Sequence, residues 1–438
     1  MKNATARSWG RFPACDQRLH SVEWRAELES TSIRLANTFG DTLVFGNGRS
    51  YGDSCLAVSD NVLYTRALDR LISADWASGV IKAEAGITLG QILDICIPKG
   101  WFLPVTPGTK FVTLGGAVAN DVHGKNHHVK GTFGRHVKTL GLIRSREGRM
   151  ICSTNMNAEY FSATVGGLGL SGIIEWVEIQ LSPIKASQIN TCVQRFDSID
   201  DFFCLSNELD HCNEYSVAWV DCLATGDRTG RGVFIVGNHA EYGSLEIAAS
   251  RKITIPVTPP FSVVNRLSLN CMNELYWRRH PTTQKSIRTS YDPFFYPLDS
   301  INSWNRAYGT NGFQQYQCVI PEDDAPYVIR RLLEVISSFG EGSFLAVLKR
   351  CGDIASPGLL SFPMKGTSLA LDFPQHKNLA PLFDTLDSIV AESNGRLYPA
   401  KDAHMSASQF KIDYPNWEIV ERLRDPILKS KFWKRVTL

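Results

Sequence analysis

The sequence predicts an α+β protein with two domains, a glycine-rich first domain and a second domain built on an antiparallel sheet. A chain of 438 residues is longer than one small hydrophobic core organises. Short elements alternate quickly with glycine-rich turns in the first third, and longer strands and helices alternate after about residue 186. We therefore divide the chain into 1–185, 186–395 and a C-terminal segment at 396–438.

The first domain is predicted from local patterns taken in chain order. Residues 22–39 carry the spacing of an amphipathic helix, and Thr88 is suited to cap a second helix over 88–96. Runs of alternating or apolar residues predict strands, and these runs end at glycine or proline turns. The strands are expected at 42–45, 80–85, 102–105 and 173–181.

The second domain shows longer patterns, which predict strands and helices in alternation. Strands are expected at 216–220, 232–237, 314–320, 343–350 and 368–373. Helices are expected at 327–339 and 379–393, and a last helix at 416–424 ends at Asp425-Pro426. This arrangement is typical of an antiparallel sheet backed by helices.

The composition argues against several functional classes. The 46 Lys and Arg against 44 Asp and Glu leave no charge excess for binding nucleic acid. The 11 cysteines are scattered without a CxxC pair, which fits reduced thiols in a cytoplasm and favours neither disulfides nor a metal site. Because neither a signal-peptide core nor a run of about 18 apolar residues occurs, we expect a cytoplasmic protein without a spanning helix.

Three glycine-rich segments carry the strongest chemical signal, at 46–53, 107–117 and 166–172. Glycine permits positive φ and lets backbone N–H groups crowd around an anion. Each segment alone is equally typical of a tight turn, and the third lacks the helix that a Rossmann fingerprint requires. Together, in this order, the segments indicate loops that converge on a pyrophosphate.

Longer motifs place these loops in a family. The chain reads GNGRSYGD at 46–53, PGTKFVTLGGAVANDVHGKNHH at 107–128, GGLGLSGII at 166–174, SFLAVLKR at 343–350 and LYPAKDAH at 397–404. It resembles, nearly end to end, the FAD-dependent oxidases of the vanillyl-alcohol oxidase / p-cresol methylhydroxylase superfamily. Within that superfamily it resembles the decaprenylphosphoryl-β-D-ribose 2-oxidase family. The HGKNHH segment is the most specific, because a packing role would not demand so many polar residues.

This resemblance implies an FAD-binding fold of the vanillyl-alcohol-oxidase type, in which the second domain binds substrate and residues 396–438 return to the first domain. Some superfamily members bind FAD covalently through a histidine in the first glycine loop. This loop has no histidine, so non-covalent FAD is expected. The residues implied to contact FAD are Gly46, Asn47, Gly48, Arg49, Ser50, Tyr51, Gly108, Thr109, Gly115, Gly116, Ala117, Asn120, His123, Gly169, Gly172, Ile174 and Tyr398.

The resemblance also places His123, Tyr398 and Lys401 beside the flavin as catalytic candidates. Oxidation of a carbinol needs a base for the hydroxyl proton, and a partly desolvated lysine titrates low enough to assist. Alternatives remain for each residue. His123 could simply bond to the backbone in a buried loop, and Tyr398 with Lys401 could lie on an exposed surface turn. Lys401 could also hold the negative charge of the reduced flavin or of a substrate phosphate instead of assisting proton removal.

Substrate contacts are expected from polar side chains around the second-domain sheet. Gln315 and Gln317 alternate with Tyr316, so both amides project from one face of their strand. A buried Lys349 would need an anionic partner such as a substrate phosphate, unless it reaches water from its strand end. The expected substrate-binding residues are Lys125, Gln315, Gln317, Lys349, Ser368 and Asp372, with a solvated loop position as the alternative for Lys125.

Two histidines and one family difference complete the predicted site. His127 and His128 look like a metal-binding pair, but no further ligand spacing supports a metal, so structural hydrogen bonds are expected. Ala370 stands where the resembling family has an active-site cysteine, and Ser368 replaces an asparagine. We infer that this cysteine is not needed for the chemistry and that the pocket has a different shape.

The resemblance implies oxidation of ribose C2 in a polyprenyl-phosphoryl ribose, and a separate NAD(P)H-dependent reductase would complete epimerisation to the arabinose form. Two alternatives stay open, a soluble alditol or aldonolactone oxidase and a flavin-binding scaffold without turnover. Aromatic and basic residues at 256–300 indicate peripheral contact with an anionic membrane. Packing of this segment onto the second domain is the alternative.

Overall fold

The computed structural model describes residues 5–249, 252–343 and 345–438. The first part of the chain forms two sheets, with strand orders β1-β2-β4-β3 and β5-β6-β10-β8-β9. Its strands are β1 (Thr5–Ala6), β2 (Gln17–Ser21), β3 (Val44–Phe45), β4 (Asn61–Tyr64), β5 (Leu71–Asp75), β6 (Val80–Glu84), β7 (Trp101–Phe102), β8 (Val137–Arg144), β9 (Gly148–Cys152) and β10 (Ile173–Gln180). Its α-helices are α1 (Leu28–Phe39), α2 (Leu89–Cys96), α3 (Leu114–Ala119), α4 (His127–Lys130) and α5 (Ala158–Thr164).

The rest of the chain is organised around an eight-stranded sheet in which every pairing is antiparallel. The strands of this part of the chain are β11 (Ser182–Pro183), β12 (Gln188–Phe196), β13 (Tyr215–Val220), β14 (Gly232–His239), β15 (Ile253–Thr254), β16 (Lys285–Ser290), β17 (Ile301–Asn302), β18 (Phe313–Pro321), β19 (Val347–Cys351), β20 (Gly366–Pro374) and β21 (Arg396–Leu397). Of these, β11, β15 and β17 lie outside the eight-stranded sheet. Its helices are α6 (Ile199–Leu209), α7 (Arg266–Arg279), α8 (Tyr291–Phe295), α9 (Ala325–Phe339), α10 (Leu379–Glu392), α11 (Ala407–Asp413), α12 (Trp417–Leu423) and α13 (Lys431–Thr437). The sheet order is β16-β12-β14-β13-β19-β20-β18-β21, so the predicted α+β class is confirmed.

The two faces of the large sheet have different surroundings, as the alternation of side chains along a strand dictates. Tyr316 and Cys318 of β18 pack in the same apolar core as α6, α9 and α10. Gln315 and Gln317 of the same strand point the other way and line a cavity. One face of the sheet therefore builds the core, and the other face builds a site.

Several local predictions agree with these bounds. Thr88 caps α2, because its side chain accepts a hydrogen bond from Gln91 N. The strand predicted at 102–105 is reduced to β7, and the strand predicted at 343–350 starts only at Val347, with Phe344 outside the described residues. The segment at 256–300, for which the sequence patterns predicted no helix, contains the 14-residue helix α7.

The C-terminal segment packs against the first sheets. Leu428 bridges Thr42, and Ser430 bridges Ala57. Lys431 N also donates to Leu56 O at 2.7 Å. The domain boundaries at 185/186 and 395/396 stay predictions. Among the residues that the structure describes, no helix combines the length and apolar composition needed to cross a bilayer.

Candidate active site

The three glycine-rich segments meet around one cavity of about 520 Å³, which the cavity face of the large sheet closes on the other side. The order of these segments in the chain predicts this convergence. The predicted cofactor residues that line the cavity are Gly46, Asn47, Gly48, Arg49, Ser50, Tyr51, Gly108, Thr109, Gly115, Gly116, Asn120, His123, Gly169, Gly172, Ile174 and Tyr398.

The glycines of these loops differ in backbone conformation and in the space around them. Gly46 permits close packing, since a Cβ there would lie 2.4 Å from Thr113 Oγ1. Gly169 has a φ of +74°, which disfavours a side chain. A Cβ at Gly108 would meet no protein atom within 4 Å, so neither packing nor backbone strain demands glycine there. The open space beside Gly108 and Gly169 is consistent with a group that approaches the backbone closely.

Arg49 has the properties of an anion-binding residue in the first loop. Its guanidinium lies 4.0 Å from the centre of the Trp9 ring, and its buried Nε has no hydrogen-bond partner within the described structure. Burial lowers the pKa of Arg49, although Asp299 counteracts this. A buried cationic N–H without an acceptor is costly unless a ligand supplies one. The loops and Arg49 together fit the pyrophosphate of FAD.

His123 lies at the wall where the first part of the chain meets the large sheet. Its Nε2 is 3.2 Å from Gln317 Nε2, and its ring centre is 5.3 Å from that of Tyr398. Burial, reinforced by the positive charges of Lys349 and Lys401, lowers the pKa of His123 well below its ordinary value. The imidazole is therefore neutral and accepts the Gln317 amide N–H, and its Nδ1 has no partner among the described residues.

Lys401 and Tyr398 reach the same cavity from the segment after β21. Lys401 Nζ lies 3.7 Å from the centre of the Tyr51 ring, and burial lowers the pKa of Lys401 to about 7. The Tyr398 hydroxyl donates a hydrogen bond to Asn120 O at 2.9 Å. Burial raises the pKa of Tyr398, so the phenol stays protonated. Of the two, Lys401 is the group that can accept a proton at neutral pH.

Lys349 adds a second ammonium group to the cavity. Its Nζ donates to Gly124 O at 3.2 Å, and burial lowers its pKa to about 8. Gln317 and Ser368 stand beside it, with Gln317 Nε2 donating to Ser368 Oγ at 3.3 Å. Among the ion pairs of the described residues, none places a carboxylate within 4 Å of Lys349 or Lys401. The cavity is therefore rich in positive charge that no protein group neutralises at contact distance.

Three predicted site residues lie elsewhere than expected. Lys125 does not line the cavity, because its carbonyl accepts from Ser216 N of β13 and its Nζ donates to Phe294 O. Ala117 is fully buried within the apolar core behind the loops. Asp372 lies behind the cavity wall, where its Oδ1 accepts from Gln315 Nε2 at 2.6 Å.

The adjacent histidines behave differently from each other. His128 Nε2 lies 3.0 Å from Asn213 O, as the prediction of a structural hydrogen bond requires. Neither ring nitrogen of the buried His127 has a partner in the described structure, so the same prediction does not fit His127. Among the described residues, no cluster of three or more His, Cys, Asp or Glu could hold a metal ion.

Sequence reasoning missed Asp121, which directly follows the cavity-lining residue Asn120. Its buried carboxylate accepts hydrogen bonds from Gly134 N, Ser356 Oγ and Ser361 Oγ. These contacts tie the loop that carries His123 to a segment more than 230 residues away in the chain. A carboxyl in a turn of small residues gave no sign of this role, because its partners come from a distant segment.

Comparisons with known proteins agree with this geometry. Residues 26–153 match the FAD binding domain family. The chain is 34% identical over 409 residues to decaprenylphosphoryl-beta-D-ribose oxidase of Mycolicibacterium smegmatis, covering 90% of this chain and 88% of that protein. It is 28% identical to L-gulonolactone oxidase of Scyliorhinus torazame over 40% of each chain. The chain therefore belongs to the decaprenylphosphoryl-β-D-ribose oxidase family and is an FAD-dependent oxidoreductase.

Proposed function

We propose that the protein oxidises C2 of a polyprenyl-phosphoryl ribose to the 2-keto sugar. The observation that carries this proposal is the ammonium group of Lys349, which lines the cavity beside Lys401 without a carboxylate at ion-pair distance among the described residues. Such a cavity suits a substrate with its own negative charge. The relative that covers most of the chain is named for a phosphoryl-ribose substrate.

The side chains divide the work on this substrate. Lys349 binds the phosphate as a point charge, while the amides of Gln315 and Gln317 and the hydroxyl of Ser368 orient the sugar. Lys401 accepts the proton of the reacting hydroxyl, since its pKa of about 7 leaves part of it unprotonated. The chemistry that FAD supplies when bound is acceptance of the hydride from the carbon.

His123 and Tyr398 arrange this site without exchanging protons at neutral pH. His123 is neutral and fixes the Gln317 amide, and Tyr398 holds Asn120 O through its hydroxyl. Rings of Phe362 and Tyr398 stack with centres 4.5 Å apart beside His123, which excludes water from that wall. Exclusion of water strengthens the charge interactions on which the reaction depends.

The proposed 2-keto product requires a second enzyme to reduce it. A 2-keto sugar regains a hydroxyl of either configuration only when a hydride is returned to C2. We therefore infer a separate NAD(P)H-dependent reductase that completes epimerisation to the arabinose form.

A lipid-linked substrate also requires access to lipid, and the surface around α7 offers it. Leu267 and Leu275 lie on the outer face of α7 with exposed fractions of 74% and 72%, opposite the buried Leu269 and Trp277. Arg278 and Arg279 end the helix on the solvent side. Apolar side chains flanked by basic ones suit the headgroup region of an anionic bilayer.

We infer that this surface extends towards the mouth of the cavity. Ile253 of β15 is 72% exposed and pairs with Ile301 of β17, which lines the cavity. Phe261, 70% exposed, belongs to the same stretch of chain. We propose that the protein docks on the membrane through this surface, so that the polyprenyl tail stays in lipid while the sugar enters the cavity.

A soluble alditol or aldonolactone oxidase is the second candidate, and the likeness to L-gulonolactone oxidase over 40% of the chain favours it. Anaerobic titration of the purified flavoprotein distinguishes the candidates. We expect a short-chain prenyl-phosphoryl ribose to bleach the flavin absorbance. A lipid-free polyol or lactone should leave the flavin absorbance unchanged. Bleaching by the polyol alone would support the second candidate, and bleaching by neither would support a flavin-binding scaffold without turnover.

A further inference from the structure

Two chain segments that meet beside the cavity are held in direct backbone contact. Tyr51 N donates to Ala400 O at 3.2 Å, and a Cβ at Gly52 would lie 1.7 Å from Asp402 O. This contact brings the end of the first glycine loop against the segment that carries Lys401. The distance of 3.7 Å between Lys401 Nζ and the Tyr51 ring centre depends on their register.

The residues next to this contact carry two buried carboxylates, Asp53 and Asp402, with exposed fractions of 4% and 3%. One guanidinium joins them. Arg435 Nε and Nη2 each donate to Asp53 at 2.9 Å, and Nη2 also donates to Asp402 at 2.8 Å. Arg435 Nη1 donates to Met405 O as well. All three guanidinium nitrogen atoms of Arg435 thus donate hydrogen bonds to one or both segments.

The helix that carries Arg435 is itself anchored in the first part of the fold. Phe432, Trp433 and Val436 of α13 are fully buried, and Ser430 caps the helix by accepting from Trp433 N at 3.0 Å. Ser430 also bridges Ala57 two residues after the short turn at 53–55. The guanidinium is therefore fixed in place by packing rather than free to follow either carboxylate.

We propose that Arg435 is a positioning residue that holds Lys401 and the first glycine loop in register. It does not line the cavity, so it acts through its bonds to Asp53, Asp402 and the Met405 carbonyl. The inference rests on the proposed function only for the role of Lys401 in turnover. Its effect on the glycine loop rests on FAD binding.

The physical reason is that removal of one partner from a buried charge cluster leaves the others uncompensated. Without Arg435, Asp53 would keep no cationic partner among the described residues, and Asp402 would keep only His404, whose Nδ1 lies 3.2 Å from Asp402 Oδ1. Burial raises the pKa of Asp53 even with Arg435 present, which shows how little water this carboxylate contacts. Repulsion and hydration would separate the segments and move Lys401 relative to Tyr51.

The test compares Arg435→Gln with Arg424→Gln in the full-length holoenzyme. Arg424 lies in the same C-terminal segment and bonds to both oxygens of Glu421 at 2.9 and 3.0 Å, but its hydrogen bonds to described residues reach neither of the two segments. For Arg435→Gln we expect about tenfold weaker FAD binding by the reconstituted apoprotein. We expect kcat to fall about 100-fold with a smaller change in KM, because a shift of about 1 Å in a reacting group has this effect.

Arg435→Lys keeps a positive charge between the carboxylates and so protects the fold, but it loses the fork geometry that fixes register. We expect its thermal midpoint to match that of Arg424→Gln while its kcat falls about tenfold. Wild-type kcat and FAD affinity in Arg435→Lys, or no difference between the two glutamine variants, would overturn the inference. If the wild-type protein oxidises no phosphosugar, the proposed function fails and the FAD affinities alone decide this point.

Discussion

The ammonium group of Lys401 lies 3.7 Å from the centre of the Tyr51 ring. This relationship joins a residue of the C-terminal segment to a residue of the first glycine loop, 350 positions earlier in the chain. A cation over an aromatic face is held without a carboxylate at contact distance, so it keeps its position while its pKa stays low. A base in a water-poor site needs both properties.

Lys401→Met tests this base directly. We expect the variant to bind FAD and fold normally, because Met fills a similar volume, while the rate of flavin bleaching by substrate falls about 10²–10⁴-fold. Anaerobic stopped-flow absorbance measures the rate. Lys377→Met, at an exposed position, is the matched control and should bleach at the wild-type rate. Equal rates for the two variants would remove Lys401 from the mechanism.

The pH dependence of kcat/KM follows from the lowered pKa of Lys401. Below about pH 7 the amine is protonated and cannot accept a proton, so activity rises with pH and levels off above this value. His123 adds no inflection near neutrality, because burial lowers its pKa well below the ordinary value. Since Asp372 raises the pKa of Lys401, Asp372→Asn should move the inflection to lower pH. A flat profile, or a shift to higher pH in Asp372→Asn, would contradict the assignment.

Substitutions at Gly108 and Gly115 distinguish an effect on cofactor binding from an effect on protein packing. A side chain at Gly108 meets no protein atom within 4 Å, whereas a Cβ at Gly115 would lie 2.9 Å from that of Ala85. We expect Gly108→Val to weaken FAD binding while the thermal midpoint of the apoprotein is unchanged. Gly115→Ala should lower that midpoint itself, by an overpacking penalty of about 1–3 kcal/mol. Normal FAD affinity in Gly108→Val would place the cofactor elsewhere.

Lys349→Met probes the substrate phosphate. A hydrogen bond to a charged group contributes about 1.5–3 kcal/mol, so KM for the prenyl-phosphoryl ribose should rise about 10- to 100-fold. An unphosphorylated ribose should lose nothing, and Lys365→Met, on the surface near β20, should leave both substrates unaffected. Steady-state kinetics with the two sugars give the comparison. An equal loss for both sugars would point to general damage instead of phosphate binding.

The membrane surface is tested by Leu267→Ser combined with Leu275→Ser. Each buried Leu contributes about 1.5–3 kcal/mol, so partition onto vesicles of anionic lipid should fall at least about tenfold. Co-sedimentation measures the bound fraction. Tyr327→Ser with Ile412→Ser removes two equally exposed apolar side chains outside this surface and is the control. Partition equal to that of the control would remove α7 from membrane binding.

Much of the fold could be predicted because local patterns determine it. The cap of α2 by Thr88 and the alternation of Gln315 and Gln317 are properties of neighbouring residues, and both agree with the structure. Helix α7 was missed because its outer face carries Leu267 and Leu275, which blurs the contrast between an apolar and a polar side. A pattern with apolar residues on two faces does not identify which face is buried.

The site was predictable where motifs brought it together and not where distant segments complete it. The motif around His123 located the cavity, but the two-residue spacing that made Lys125 a neighbour did not reveal that Ser216 of β13 holds its backbone. Likewise, nothing local to Asp53 indicates Arg435, which is 382 positions away. Tertiary contacts of this range are set by topology and leave no periodic trace.

The return of the C-terminal segment to the first sheets has a consequence for biosynthesis. Thr42 and Ala57 find their bridging partners, Leu428 and Ser430, only after more than 370 further residues have been translated. The nascent first domain therefore leaves the ribosome with an edge unpaired and a dinucleotide site unfinished, and contacts of such long range form slowly. We therefore expect stable capture of FAD only after residues 428–430 have been translated and have paired with the first sheets.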